Sequence, residues 1–274
     1  MTAPVLTARV RRAMPRASAA RAGTWLPPLL LLAALLGLWE GWVWWRDVEP
    51  FLLPAPSAVW AAFLESRPLL GDHLLTTATE ALAGLVLGAA VGAALAVVIA
   101  ATPLARRVLY PILVVSQTVP MIVLAPLLVL WFGFGMTPKI VVVALIVFFP
   151  VAVSTVAGLA GADRDLVELV RSMGADRRQI LRMVLFPAAV PAFFAGLRIA
   201  AAYAVAGAVI GEWVGASQGL GIFITRSQSS FQVDRVFVAV TIVALLSMTL
   251  FGLVHLLARR ASPWMYLTSQ KETP

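Results

Sequence analysis

The sequence predicts an all-α membrane protein with six spans. Apolar stretches recur along the 274-residue chain, each about 20 residues long, which is what a helix needs to cross a hydrocarbon core of roughly 30 Å. Hydrophobic residues make up 61% of the chain and charged residues 12%, a balance foreign to soluble domains. The arginines are also distributed unevenly between alternate connections. The apolar stretches fall roughly at 27–45, 77–101, 109–132, 140–159, 190–214 and 236–258. With the N-terminus inside, the inner segments hold Arg9, Arg11, Arg12, Arg16, Arg21, Arg106, Arg107, Arg164, Arg171, Arg177, Arg178, Arg182, Arg259, Arg260 and Lys271. The outer ones hold Arg46, Arg67, Lys139, Arg226 and Arg235, an asymmetry that sets orientation. Arg198 falls just inside the fifth span.

The net charge of +8 is thereby assigned to topology, not to nucleic acid. The absence of cysteine excludes disulfides, thiolate metal sites and cysteine nucleophiles. The expected organisation is a basic cytoplasmic arm over 1–24, a first span with an outer interfacial helix over 25–71, a core transmembrane domain over 72–260 and a cytoplasmic tail over 261–274. A basic start followed by "LLLLAALLGL" is also the pattern of a signal peptide. Glu40 and the cluster Trp39, Trp42, Trp44 and Trp45 follow it, and an outer aromatic belt accounts for these better than a cleavage site does. Next comes "FLLPAPSAVWAAFLESRP", read as a turn and a short interfacial helix capped by Ser57, with Val59, Trp60, Phe63 and Leu64 on one face.

The second span carries Gly84, Gly88 and Gly92, continued by Ala96 and Ala100. Such a stripe lets helices approach closely in lipid, either at a seam between subunits or bundles or in ordinary packing. In the third span, "SQTVPMIVLAP" places Ser116, Gln117 and Thr118 beside Pro120, with Pro126 beyond. Broken polar helix at membrane depth is tolerated where it is buried in protein or lines a wet cavity, so pathway lining and a packing kink are both open. The connection "GASQGLGIFITRSQSSFQVDR" has an apolar centre that reads as dipping back toward the membrane. No internal repeat supports an inverted-repeat transporter.

Between the fourth and fifth spans, "RSMGADRRQILRMVLFP" breaks the apolar pattern with four arginines. Asp165 precedes Glu168 by three residues, and Asp176 precedes Gln179 by three, so both resemble capping boxes. Leu166, Val167, Val170 and Met173 share one helical face, and Ile180, Met183 and Val184 the next. Gly174 separates the two helices, where a left-handed residue ends a helix, and Pro187 is expected to stop the second. The loop over 162–187 is thus two short amphipathic helices at an angle. Their apolar face suits a docking surface, the chain's own spans or lipid.

Residues 168–187 resemble the EAA loop of ABC importer permeases. That pattern is Glu-Ala-Ala, three residues, Gly, nine residues, Ile, one residue, Leu-Pro. Glu168, Gly174 and Pro187 fall in register, Val184 and Phe186 replace Ile and Leu, and Leu169 and Val170 replace the alanines. The resemblance extends from about Leu52 to Trp264. It implies a six-span type I importer permease in a bacterial inner membrane, with both termini cytoplasmic. It also implies that the loop is a coupling helix seated on a cytoplasmic ATPase subunit, with Glu168, Gly174, Asp176, Arg177 and Arg178 facing that partner and Pro187 joining the loop to the fifth span. Two ATPase chains, an extracytoplasmic substrate-binding protein and a second permease copy complete the transporter.

The residues agree that the motor is elsewhere. There is no G-x-x-x-x-G-K-[ST] phosphate loop, and Lys139 and Lys271 are the chain's only lysines. ATP and Mg belong on the partner, with no cofactor on this chain. His73 and His255 lack neighbours at metal-ligand spacing and are expected to cap or face interfaces. A channel or secondary transporter explains six spans and polar breaks but not the loop, and a membrane enzyme lacks an acid, base and nucleophile cluster.

Within the importer permeases, "SQTVP", "LAPLLVLWFGFG", "GEWVGAS" and "DRVFVA" are similar to the group handling sulfonates, taurine, nitrate and thiamine-precursor pyrimidines, most of all the hydroxymethylpyrimidine type. Ionisable groups at membrane depth face a cavity or a partner, which makes Glu80 and Glu212 pathway candidates. Gln117 and Tyr203 join them as amide and ring. Helix packing is the other reading for each of the four.

Overall fold

The computed structural model describes residues 26–263. The basic arm, with Arg9, Arg11, Arg12, Arg16 and Arg21, and nearly all of the expected tail, with Lys271, lie outside the described residues. Within them the secondary structure is helical: α1 (Leu26–Trp45), α2 (Pro56–Ala101), α3 (Pro103–Ser116), α4 (Met121–Phe132), α5 (Met136–Ala160), α6 (Arg164–Ser172), α7 (Arg177–Ile180), a π-helical turn (Leu181–Leu185), α8 (Phe186–Glu212), α9 (Leu220–Ser229) and α10 (Val233–Ala261). Five helical runs are long and apolar enough to cross a membrane, and α3 with α4 make a sixth if that bent pair counts as one span.

The chain divides into two compact units, 1–58 and 59–274. In the described part of the first, the Glu40 carboxylate accepts the Ser57 backbone N–H at 3.0 Å, the Ser57 hydroxyl at 2.7 Å and the Trp44 indole N–H at 3.0 Å. Ser57 was expected to cap a helix. It lies instead in the first turn of α2, and Glu40 takes the donor that such a turn leaves unpaired.

The separate interfacial helix does not form. Residues 56–101 make one helix of 46 residues that passes through Pro68, so the expected division at 71/72 falls inside it. The residues after Pro68 form helix readily, and a single proline removes one hydrogen bond without supplying a stop. The third span differs in the opposite sense. It breaks between Ser116 and Met121, and α3 and α4 meet at 97°. Pro120 holds an extended conformation at the start of α4, whereas Pro126 is accommodated inside that helix.

In the second unit α8 packs along α5. Their shared core takes Val143, Val147 and Val151 from α5 and Ala200, Ala201, Ala204, Val205 and Ala208 from α8, with Leu85 from α2 and Leu250 from α10. The glycine stripe of α2 is a seam inside this bundle. A Cβ on Gly88 would lie 2.6 Å from the Ala144 carbonyl oxygen and 2.8 Å from Val147, and one on Gly92 would press equally on Phe148. Dispersion between closely apposed backbones replaces the hydrophobic drive that lipid does not provide.

Gly88→Ala is expected to lower stability by about 1–3 kcal/mol through overpacking. Gly71→Ala, whose Cβ meets nothing within 4 Å, should be neutral or slightly stabilising. Thermal unfolding of the two variants in one detergent distinguishes them, and equal melting points would refute the seam.

Candidate functional site

The expected coupling residues form one exposed promontory. Helix α6 begins at Arg164 with Asp163 as its cap, whose side chain accepts the Asp165 N–H at 2.9 Å. The first capping box, expected on Asp165 and Glu168, is therefore absent. Asp163 lies two residues earlier and already supplies the cap, leaving Asp165 in the first turn. Gly174 ends α6 at φ +88°, with its N–H on the Arg171 carbonyl at 3.0 Å and the Ala175 N–H on Val170 at 3.2 Å. These paired bonds with a left-handed residue between them make a Schellman end. The second capping box is present: Asp176 accepts the Gln179 N–H at 2.7 Å, and Gln179 accepts the Asp176 N–H at 2.8 Å.

Pro187 does not stop the second helix. A π turn over Leu181–Leu185 leads directly into α8, with the Phe186 N–H bonded to the Leu181 carbonyl. The wider turn shifts the hydrogen-bond register just where proline, in the first turn of α8, lacks a donor. Arg177 to Glu212 is consequently one helical run of 36 residues.

Glu168, Gly174, Asp176, Arg177 and Arg178 are exposed and Pro187 is half-buried. Leu166, Val170, Met183 and Val184 line an open groove of about 450 Å³ between α6 and the π turn. Leu181 and Leu185 face the other way and pack on the core formed by Ala96, Ile99, Leu113, Val156 and Ala189. The loop is thus exposed outward and anchored inward.

Gln117 and Tyr203, far apart in sequence, share a second groove. Both line an open recess of about 440 Å³ with Pro120, Met121, Phe149 and Pro150. The break between α3 and α4 creates this recess by turning Gln117 out of a straight span. Its polar groups are one amide and one phenol, set among apolar walls.

Glu80 and Glu212 are not there. Expected to face a pathway, they are enclosed within the single chain, 1% and 0% exposed, with protein groups on Glu80 Oε1 and on both oxygens of Glu212. Lys139 Nζ lies 3.0 Å from Glu80 Oε1. Glu212 Oε1 accepts the Thr77 hydroxyl at 2.6 Å, and its Oε2 accepts the Gly221 N–H. Thr77 in turn accepts the Leu220 N–H at 2.8 Å, and His73 Nδ1 accepts that of Gly219 at 2.9 Å. Three successive N–H groups at the start of α9 are thereby satisfied by α2 and α8. A carboxylate at a helix N-terminus also meets its favourable dipole. Gly219 stands at φ +127°, and a Cβ there would collide with the Glu212 carboxylate. Sequence reasoning missed Thr77, Lys139 and the Gly219–Gly221 turn as members of this cluster. The available signal was a lysine in the first turn of an apolar span.

The family described as "Binding-protein-dependent transport system inner membrane component" matches residues 84–263. A probable ABC transporter permease protein of Haemophilus influenzae is 38% identical, covering 86% of this chain and 96% of its own. The formylaminopyrimidine transport permease protein ThiX of Halalkalibacterium halodurans is 37% identical over 87% and 96%, and the riboflavin transport system permease protein RibX of Chloroflexus aurantiacus 37% over 94% and 98%. Others, at 30–32%, are named for taurine and aliphatic sulfonates. The fold is shared with a crystal structure of an amino acid ABC transporter with histidines, at a TM-score of 0.61 and 20% identity over 73% of this chain and 97% of that one.

Removing one partner of a buried ion pair leaves the other charge uncompensated, a loss of about 3–5 kcal/mol. Lys139→Met alone is therefore expected to destabilise strongly, while Lys139→Met with Glu80→Gln should recover most of the loss. A double-mutant cycle of thermal unfolding measures the coupling, and additive effects would show that the pair does not act as a unit.

Proposed function

The chain belongs to the family of inner-membrane components of binding-protein-dependent transport systems, and from that premise we propose that it forms the translocation pathway of an ATP-driven importer as a homodimer. Two separate ATPase chains hold ATP and Mg and dock on the loop at 162–187 from the cytoplasm, where both termini also lie. An extracytoplasmic binding protein delivers the substrate. The observation that carries this reading is the loop itself. It combines an exposed surface, a groove between α6 and the π turn, caps that fix its shape, and a rigid helical continuation into the bundle.

Coupling in this reading is mechanical. Glu168, Asp176, Arg177 and Arg178 give the partner a patterned charged surface, while Leu166, Val170 and Met183 offer the apolar contact. Displacement of the loop is carried by one helical run, since α7, the π turn and α8 are continuous. Tyr203 lies 16 residues beyond Pro187 on that run, about 24 Å along its axis at 1.5 Å per residue.

The substrate we propose is a planar nitrogen heterocycle of the thiamine-precursor pyrimidine class. Supporting this are the resemblance of the sequence segments and two relatives of equal identity, one named for a formylaminopyrimidine and one for riboflavin, both planar nitrogen heterocycles. The Gln117–Tyr203 recess provides an amide and a phenol ring of the kind such a ring can stack on and hydrogen-bond to. Aliphatic sulfonate or taurine is the competing class, supported by the names of the less similar relatives.

Two outcomes are expected in proteoliposomes holding the chain with its ATPase and binding protein. Gly174→Arg should lose ATP-driven uptake and ATPase retention while still inserting, because a side chain at this left-handed position costs about 1–2 kcal/mol and intrudes on the docking face. Gly174→Asn, which tolerates that conformation, should retain most activity. Gln117→Ala and Tyr203→Ala should lower uptake of labelled pyrimidine while leaving ATP hydrolysis near wild type. Full uptake by Gly174→Arg would overturn the coupling role, and uptake of taurine in place of pyrimidine would overturn the substrate class.

A further inference from the structure

A third groove, of about 450 Å³, runs along the surface of the second unit between α2, α8 and α10. It shares no lining residue with the Gln117–Tyr203 recess. Val86 and Ala89 of α2 form one wall, Leu253 and Leu257 of α10 the other, and Leu197 of α8 the floor. Every side chain lining it is apolar except Arg260. Leu82, Val86, Leu253 and Leu257 are each about half-exposed, so the groove opens sideways from helices that cross the membrane.

Its length and its charge point to one occupant. From Leu250 to Arg260 α10 rises about 15 Å at 1.5 Å per residue, half of a hydrocarbon core of roughly 30 Å. The groove is therefore one leaflet deep, and Arg260, in the last turn of α10, stands at its headgroup end. Among the described residues no carboxylate forms an ion pair with Arg260. A guanidinium at that depth matches a phosphate with two parallel donors. Arg198 Nη1 lies 3.5 Å from His255 Nδ1 on the same α8–α10 seam, one residue along from Leu197 and Val254, and adds to the positive field. Ordinary lipid-facing surface supplies neither a recess nor a charge at the correct depth.

We propose that this groove binds one acyl chain of an anionic phospholipid, with the lipid phosphate on Arg260. The bound lipid fills the space between α2 and α10 and supports the bundle beside α8.

The test is native mass spectrometry of the full chain, assembled with its ATPase and released from nanodiscs of phosphatidylglycerol or phosphatidylcholine. Wild type is expected to retain phosphatidylglycerol about fivefold better, the factor that one arginine near an anionic headgroup supplies. Arg260→Gln should abolish the preference while still holding lipid. Leu253→Trp, at an exposed position, should lower retention of both lipids by filling the groove, and Leu257→Trp repeats that test one turn on. Equal retention of the two lipids by wild type, an unchanged preference in Arg260→Gln, or full retention in both tryptophan variants would overturn the proposal. The chain has no cysteine, so Leu253→Cys serves as a clean probe. Disulfide cross-linking of two copies through it would place protein in the groove and overturn the lipid assignment.

Discussion

The bundle depends on how it treats the N-terminus of α9. A helix that starts inside a protein leaves donors which water cannot reach, and each must find an acceptor or be lost as stability. Here the acceptors are His73, Thr77 and Glu212, from two different helices. Placing Glu212 there brings a carboxylate into the interior, near the buried Glu80, which is itself paired with Lys139. One requirement, that three backbone N–H groups be satisfied, thus ties α9 to α2 and α8, and the Lys139–Glu80 pair joins α5 to α2. It also explains why Gly219 has no side chain, since the carboxylate occupies the volume that a Cβ would take.

This cluster and the loop at 162–187 lie toward opposite ends of α5. Lys139 is near its start, and the loop follows its C-terminus at Ala160, so about 30 Å of helix separates them. The run from Arg177 to Glu212 spans the same interval. It carries the loop at one end, Tyr203 between and Glu212 at the other. The small-residue contacts of α8 with α5 keep it close along this length, and the polar cluster holds its far end. A push on the loop therefore meets a stiff element restrained at its distal end by hydrogen bonds, which favours rotation or tilt about that end over bending within the helix. The π turn is the one place where the run departs from regular helix, and it falls beside the anchor residues Leu181 and Leu185.

Much of this was legible in the sequence, for physical reasons that differ by element. The long apolar helices and the loop could be read because hydropathy and capping are local: a residue such as Asp176 meets Gln179 within one turn, whatever the rest of the chain does. Gly174 was legible because a left-handed helix end favours glycine. The glycine stripe of α2 identified a close approach but not its partner, since a stripe describes one surface only. The boundaries that failed are those set by competition. Pro187 looked like a stop, and the segment that ends at Pro68 like a separate helix, yet proline removes one donor, and neighbouring turns can absorb that. Pro120 broke its span where Pro126 did not, and composition alone does not separate the two.

The two acidic residues show the limit most clearly. An ionisable group at membrane depth is expensive, and the sequence correctly marks Glu80 and Glu212 as needing a reason. The reason depends on what lies opposite, 59 residues away for Glu80 and Lys139 and 135 residues away for Glu212 and Thr77. Such separations carry no local pattern. The same lack of pattern hid the recess shared by Gln117 and Tyr203, which exists only because α3 and α4 part at an angle. The charges the chain can least easily leave unpaired stabilise its architecture, while neutral polar groups line the open recess. This division suits a conduit served by a binding protein. A fixed buried charge on the route would hold an oppositely charged solute or repel a like one, whereas an amide and a phenol can release what they touch.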